Sequence, residues 1–144
     1  MTKWIVLGLI AASIMFVGYR SLAGEDMNIR IAAEIRSNPN GDRAQRTMLV
    51  TLADGRMYPV NYLKEGDVVY MGIDGRWWRE FVGEGQPVEI FIKGEEYLGQ
   101  AKSVLDNPEY TADVFSRLRP DVPSWLPDWL NAKLVVISLK DSSD

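Results

Sequence analysis

The side chains able to do chemistry in this chain of 144 residues are carboxylates, tyrosines, lysines and arginines, because it contains no cysteine and no histidine. Those two absences exclude a disulfide, a thiolate nucleophile, a zinc site of the usual kind, an axial haem histidine and a Ser-His-Asp triad. Redox chemistry on this chain would therefore require a bound organic cofactor. The carboxylates do not assemble into a catalytic pair. Asp42, Asp54, Asp67 and Asp74 stand in turn positions, where aspartate caps backbone amides. Glu109 and Asp113 read as charges favouring the N-terminus of a late helix, and Glu95-Glu96 as a solvated hairpin turn. No metal and no catalytic residue of the chain's own is expected.

The elements that must position these groups are mostly strands. Asn28 to Arg36 has the spacing of a short amphipathic helix, ended by Asn38-Pro39-Asn40-Gly41. Arg46 to Ala53 alternates as a strand, and Asp54-Gly55 is a hairpin signal before a second strand at Arg56 to Lys64. Pro59 makes that second strand an edge or bulged one, since proline cannot donate to a ladder. Glu65-Gly66-Asp67 turns the chain into Val68 to Ile73. After the irregular stretch RWWREFVGEG come strands at Val88 to Lys93 and, past Gly94-Glu95, at Tyr97 to Leu105. Asn107-Pro108 then opens a helix through Leu118. Lys133 to Leu139 is a β-branched run suited to a last strand buried on both faces. The fold class is mainly β, of the α+β kind: six antiparallel strands closing a small barrel, with one or two short helices.

Ahead of this domain lies the uncharged run WIVLGLIAASIMFVGY, whose membrane-facing residues include Trp4, Ile5, Leu7, Leu9, Ile14, Phe16 and Tyr19. As a helix it spans about 24 Å, short of a hydrocarbon core of about 30 Å, and Arg20 to Ala23 restore the difference. Lys3, the run and Ser21-Leu22-Ala23 also satisfy the pattern of a signal peptide. The expectation is a single N-terminal transmembrane helix at 1–23, or a signal peptide there, a linker with a short helix at 24–45, and the barrel at 46–144. Lys3 and the α-amino group on one side nearly balance Arg20 and Arg30 on the other, and Glu25-Asp26 tips the domain slightly toward the extracytoplasmic side.

The whole chain has a net charge of −4. Without Lys3 and Arg20 the domain is more acidic still, and it has no basic cluster, which argues against nucleic acid and anionic lipid headgroups as partners.

The stretch LVTLADGRMYPVNYLKEGDVVYMGIDGRWWREF, followed by PVEIFIKGEEYLGQAKSVLDNPE and a terminal KLVVISL, resembles the flavin- and deazaflavin-binding split barrels, the nitroreductase-like relatives of pyridoxamine phosphate oxidase. The resemblance covers most of Leu49 to Leu139 and rests on element order and on Arg56, Pro59, Val60, Tyr62, Gly66 and Tyr70. It implies basic segments gripping a cofactor phosphate, a task suited to arginine. Arg56, Arg76 and Arg79 are the candidates here, and Trp77 and Trp78 fall where the family places residues beside the flavin ring. The chain departs from the family in a first loop cut to Asp54-Gly55-Arg56, and in Glu84, which would repel a phosphate. The plainer reading has the arginines exposed, one tryptophan closing the barrel and the other packing outside. In PSWLPDWLNAKL, the residues Trp125, Leu126, Trp129 and Leu130 suit a membrane-interface belt, a docking patch on a larger protein, or cover for the barrel.

Two functions follow. The first is a non-catalytic accessory or scaffold subunit of an integral membrane complex, respiratory or photosynthetic, with the bilayer and other membrane subunits as partners and no cofactor. The second is a membrane-anchored oxidoreductase using FMN or a deazaflavin, which as a split barrel would pair as a homodimer. The eroded phosphate grip and the acidic charge place the scaffold first.

Overall fold

The computed structural model describes residues 27–121 and 132–140. Six strands run β1 Thr47–Leu52, β2 Met57–Glu65, β3 Val68–Ile73, β4 Gln86–Ile92, β5 Glu95–Val104 and β6 Lys133–Leu139. They close a barrel in the order β1-β2-β3-β6-β5-β4, every pairing antiparallel. Helix α1 covers residues 27–37, α2 is Asp42–Arg46 and α3 is Pro108–Leu118.

Strand periodicity explains the closure. On β1, β3, β4 and β6 alternate residues point inward, and Met48, Val50, Leu52, Val69, Met71, Ile73, Val88, Ile90, Ile92, Val135 and Ile137 form one buried core. The outward set is covered on two sides. Ala32 and Ile35 of α1 and Ala44 of α2 pack on Leu49, while Val114 of α3 packs with Tyr70 and Leu134. The last strand is therefore buried on both faces, as its β-branched run predicts.

The segment expected to act as a linker is part of this cover. Its second helix, α2, was not legible in the sequence, and Asp42 is that helix's first residue rather than a turn cap. The irregular stretch after β3 contains a 3-10 helix, Trp77–Phe81. Glu95 and Glu96 also differ from expectation: they open β5, opposite Ile92 and Phe91, and the turn is Lys93-Gly94, with both residues at positive φ. Asp113 lies mid-helix and pairs with Arg117 one turn on, at 2.8 Å. Asn107 caps α3 as predicted, accepting from the Tyr110 amide at 3.1 Å.

Strand β2 changes partner along its length. Met57 to Asn61 pair with β1 only, and Tyr62 to Glu65 with β3 only. The Thr47 hydroxyl donates to the Asn61 side chain at 2.8 Å, where the switch occurs. Pro59 lies in the half that has no partner on its β3 side, which is how a proline fits inside a closed barrel. A seam is thus left between the upper half of β2 and the end of β3, at the barrel end that also carries the Ala53–Arg56 loop. No helix among the described residues is long and apolar enough to cross a membrane. The run at Trp4 to Tyr19 lies outside the described residues.

Gly85, just before β4, sits at φ +75, and a Cβ there would fall 1.8 Å from the carbonyl oxygen of Ala101. Gly55, at φ +93, has open space around it. Gly55→Ala should therefore cost about 1 kcal/mol, from backbone conformation alone, and Gly85→Ala roughly 3 kcal/mol or more, because strain and overlap add. Urea unfolding of the two variants checks the difference. Equal costs would mean that the Gly85 backbone moves aside freely.

Candidate functional site

The upper end of the barrel gathers the ends of β1, β3 and β5 and the starts of β2, β4 and β6, because all neighbouring strands are antiparallel. Three of the four sequence-predicted cofactor residues, Arg76, Trp77 and Arg79, arrive here on the connection from β3 to β4, and Arg56 arrives on the β1–β2 loop. The structure brings all four to one end of the barrel and gives them different surroundings.

Trp77 fills the seam. Its ring stacks on that of Tyr58 with centroids 4.2 Å apart and planes at 8°, and meets Phe81 edge-on at 5.9 Å. Phe81 is fully buried. Arg56 is committed to carboxylates: its guanidinium is 2.7 Å from Asp54 and 3.0 Å from Glu80. The bond to Glu80, and then that to Asp54, hold it more firmly protonated than a free arginine. The amide of Arg56 and then its guanidinium keep Asp54 below the usual carboxylate range. Asp54 thus caps a turn amide, as the sequence indicated, with Arg56 N–H donating at 3.0 Å.

Trp78 and Arg79 face a different environment. The Trp78 carbonyl accepts from Ser103 Oγ at 2.6 Å, which ties the 3-10 helix to β5. Over the Trp78 ring stand two cations, Arg79 at 5.6 Å and Lys133 at 6.0 Å from its centroid. Arg76, Arg79 and Lys133 make no ion pair among the described residues, whereas Arg119 is taken by Asp74 at 3.0 Å. Sequence reasoning missed Lys133, since it lies 55 positions from Trp78 and only barrel closure brings the start of β6 to this end. The plainer reading, one tryptophan closing the barrel and the other packing outside, describes Trp77 and Trp78 only in part, as both are partly buried against the core.

The other chemistry-bearing residues are tyrosines, Tyr62 and Tyr97 against the barrel core and Tyr70 and Tyr110 where α3 packs on the barrel. Tyr62 points inward from β2 and its hydroxyl is buried without a hydrogen-bond partner among the described residues, and burial raises its pKa. Tyr97 donates to the Glu95 carboxylate, and that bond, with burial, raises its pKa. Tyr110 is pushed up to about 12 by burial and by its 3.3 Å hydrogen bond to Tyr70. Among the described residues no group of His, Cys, Asp and Glu could hold a metal ion. A shallow groove lies on the outer wall between Arg36, Thr51, Glu89, Phe91 and Glu96, away from the 3-10 helix. Trp125, Leu126, Trp129 and Leu130 lie outside the described residues.

The chain matches no protein-family model and no curated protein. Solved structures of similar fold exist. A Listeria innocua protein assigned as a pyridoxamine 5′-phosphate oxidase is 13% identical over 82% of this chain and 95% of its own, with a TM-score of 0.45. An FAD-binding protein from Mycobacterium smegmatis is 16% identical over 67% of this chain and 81% of its own, with a TM-score of 0.42. An FMN-binding protein from Syntrophomonas wolfei is 13% identical over 87% of this chain and 94% of its own, with a TM-score of 0.36. These are distant likenesses, and what those proteins bind is a property of those proteins.

Two outcomes are expected from this geometry. Trp77→Ala should lower stability by about 3 kcal/mol, and a double-mutant cycle with Tyr58→Ala should return a coupling of about 1 kcal/mol for the stacked pair. Additive losses in urea unfolding would mean that the two rings act separately. For the tyrosines, a phenol whose folded-state pKa exceeds its unfolded value near 10 contributes stability that is full below that pH and is lost as pH rises through the folded value. Tyr62→Phe should therefore leave neutral-pH stability unchanged or raise it by up to about 1 kcal/mol, and flatten the alkaline fall in melting temperature above pH ~10. A loss of neutral-pH stability in the variant would show that the hydroxyl has a partner, and an unchanged alkaline fall would show that its titration is not what drives that fall.

Proposed function

We propose that this chain is a membrane-held split barrel that binds a flavin or deazaflavin at the end carrying the Trp77–Phe81 helix. The observation that carries the reading is the convergence of Arg79 and Lys133 on the ring of Trp78, without a paired carboxylate among the described residues. Uncompensated cations beside an aromatic ring suit a cofactor with an anionic phosphate and a flat ring system. Arg76, one residue before the 3-10 helix, adds a third charge at the same end. The residues fit such a group in part. Arg76, Arg79, Trp78 and Lys133 are available, while Arg56 is held by Glu80 and Asp54 and one face of Trp77 is covered by Tyr58.

A bound flavin would supply the electron transfer that a chain without cysteine or histidine lacks. The chain's own part is to hold the phosphate with Arg79 and Lys133 and to keep the ring against the barrel end. The scaffold reading stands second, and it too has an observation behind it. The engagement of Arg56 and Trp77 with neighbouring side chains is what a barrel end serving only structure would show.

The test is fluorescence titration of the purified full chain in detergent with FMN, FAD and a deazaflavin. Binding of one of them, weakened at least about tenfold in Arg79→Ala/Lys133→Ala, is the expected result, given that hydrogen bonds to charged groups are worth about 1.5–3 kcal/mol each. Absence of binding by all three, or undiminished binding in the double variant, would overturn it. A colourless protein isolated in fixed stoichiometry with larger membrane subunits would put the scaffold reading in its place.

A further inference from the structure

The two ends of the barrel differ in what they present to their surroundings. Large apolar side chains exposed among the described residues are Met27, Ile29, Val82, Leu98 and Leu105. Val82, 49% exposed, ends the 3-10 helix, and Leu105, 47% exposed, follows β5, so both lie at the upper end. Met27 and Ile29, 62% and 63% exposed, are in the first turn of α1. That turn points away from the lower end, since Pro39, beyond the C-terminus of α1, lies beside Gly94 in the β4–β5 turn, and Ile31 near the start of α1 packs on the same buried cluster as Met57, the first residue of β2. Leu98 alone lies on the side wall, in mid-strand opposite Glu89.

The lower end offers Glu65, Asp67, Lys93, Glu95 and Glu96, all exposed, and no large exposed apolar side chain among the described residues. The upper end adds to its apolar groups Trp78 with Arg79 and Lys133 over its ring. Tryptophan beside cations whose aliphatic stems can lie along apolar surface is the composition that partitions into a membrane interface. Net charge is not the attraction. Arg56 is shared by Asp54 and Glu80 and Arg119 pairs with Asp74, while Glu84 and Asp106 at this end offset Arg76, Arg79 and Lys133, so a zwitterionic surface is the match.

Chain connectivity agrees with this direction. The uncharged run ends at Tyr19, eight residues before Met27, and eight residues reach at most about 28 Å. With that run in a bilayer, the first turn of α1 cannot stand far from the lipid surface. We infer that the barrel rests on the bilayer by its upper end, Met27, Ile29, Val82 and Leu105 entering the interface while the Glu65–Asp67 and Lys93–Gly94 turns point into the water. The inference rests on the membrane part of the proposed function and not on the cofactor.

The cysteine-free chain allows the test directly. Full-length Val82→Cys, Leu105→Cys, Asp67→Cys and Glu96→Cys are each labelled with one fluorophore and reconstituted into phosphatidylcholine vesicles carrying nitroxide-labelled lipid. Co-flotation with the vesicles is measured first, and flavin binding is scored separately in detergent, so failure of the cofactor reading leaves this result readable. The expected result is co-flotation, with quenching at 82 and 105 several-fold stronger than at 67 and 96. Equal quenching at both ends, or stronger quenching at 67 and 96, would overturn the orientation. Failure to co-float would overturn the membrane contact itself. Weak quenching at all four sites, with 82 and 105 protected only in the presence of co-purifying membrane subunits, would assign the upper end to a protein partner instead.

Discussion

The partner switch of β2 at Asn61 and Tyr62 is the constraint on which the rest of this barrel depends. A six-stranded barrel closes only if every strand finds two neighbours, and β2 finds them in sequence along its length rather than side by side. The consequence is a seam beside its upper half. Backbone groups and inward side chains there would meet water unless something else filled the gap, and the chain fills it from the β3–β4 connection. Tyr58, Trp77 and Phe81 form a continuous aromatic plug from the seam into the core. The 3-10 helix owes its position to that packing, to the Ser103 hydrogen bond and to the Arg56–Glu80 ion pair. Exposed ion pairs contribute little on their own, so the aromatic packing dominates.

The outer wall is governed by a second, simpler requirement. Strands β1 and β6 carry apolar residues on both faces, so their outward sides need cover. Helices α1 and α2 supply it for β1, fastened to each other by the 2.8 Å pair of Arg43 and Glu34, and α3 supplies it for β3 and β6. Arg119 closes α3 onto the barrel by donating to the Gly72 carbonyl at 3.2 Å as well as pairing with Asp74. The wall of β4 and β5, where Glu89, Leu98 and Lys102 alternate with inward residues, is more polar and needs less cover, and α1 reaches it at Phe91, with Arg36 over the ring.

Most of this was legible because period-two alternation and turn residues are local signals. The six strands, the Asp54-Gly55 and Glu65-Gly66-Asp67 turns, and the Asn107 cap all follow from residues within a few positions of one another. Pro59 also told the truth about β2, since it marked the half-strand that lacks a neighbour. Three features resisted for the same physical reason. The 3-10 helix has no periodicity of its own and forms because Trp77 and Phe81 find the seam. The five-residue α2 is too short to hold by itself, and forms because Ala44 is buried against Leu49. Lys133 joins Trp78 through barrel closure, which sequence spacing does not encode. The turn position of Glu95 and Glu96 is not local in this way: Gly94 takes the second turn position, with Lys93 rather than Glu95 beside it.

The plug and the proposed cofactor bed would make competing demands on the same short segment. A ring that fills a seam must be immobile and covered, while a ring that receives a flat ligand must offer a free face. Adjacent residues divide these roles: Trp77 turns toward Tyr58 and the core, and Trp78, one position along a tight 3-10 turn, carries the cations Arg79 and Lys133. The arginines divide in the same way, Arg56 serving the loop-to-helix contact and Arg79 keeping its charge uncompensated among the described residues. A helix of 3.0 residues per turn makes this possible, because neighbouring side chains leave it about 120° apart. Whatever the upper end binds must therefore engage the Trp78 side of this turn, since displacing Trp77 would reopen the seam that closes the barrel.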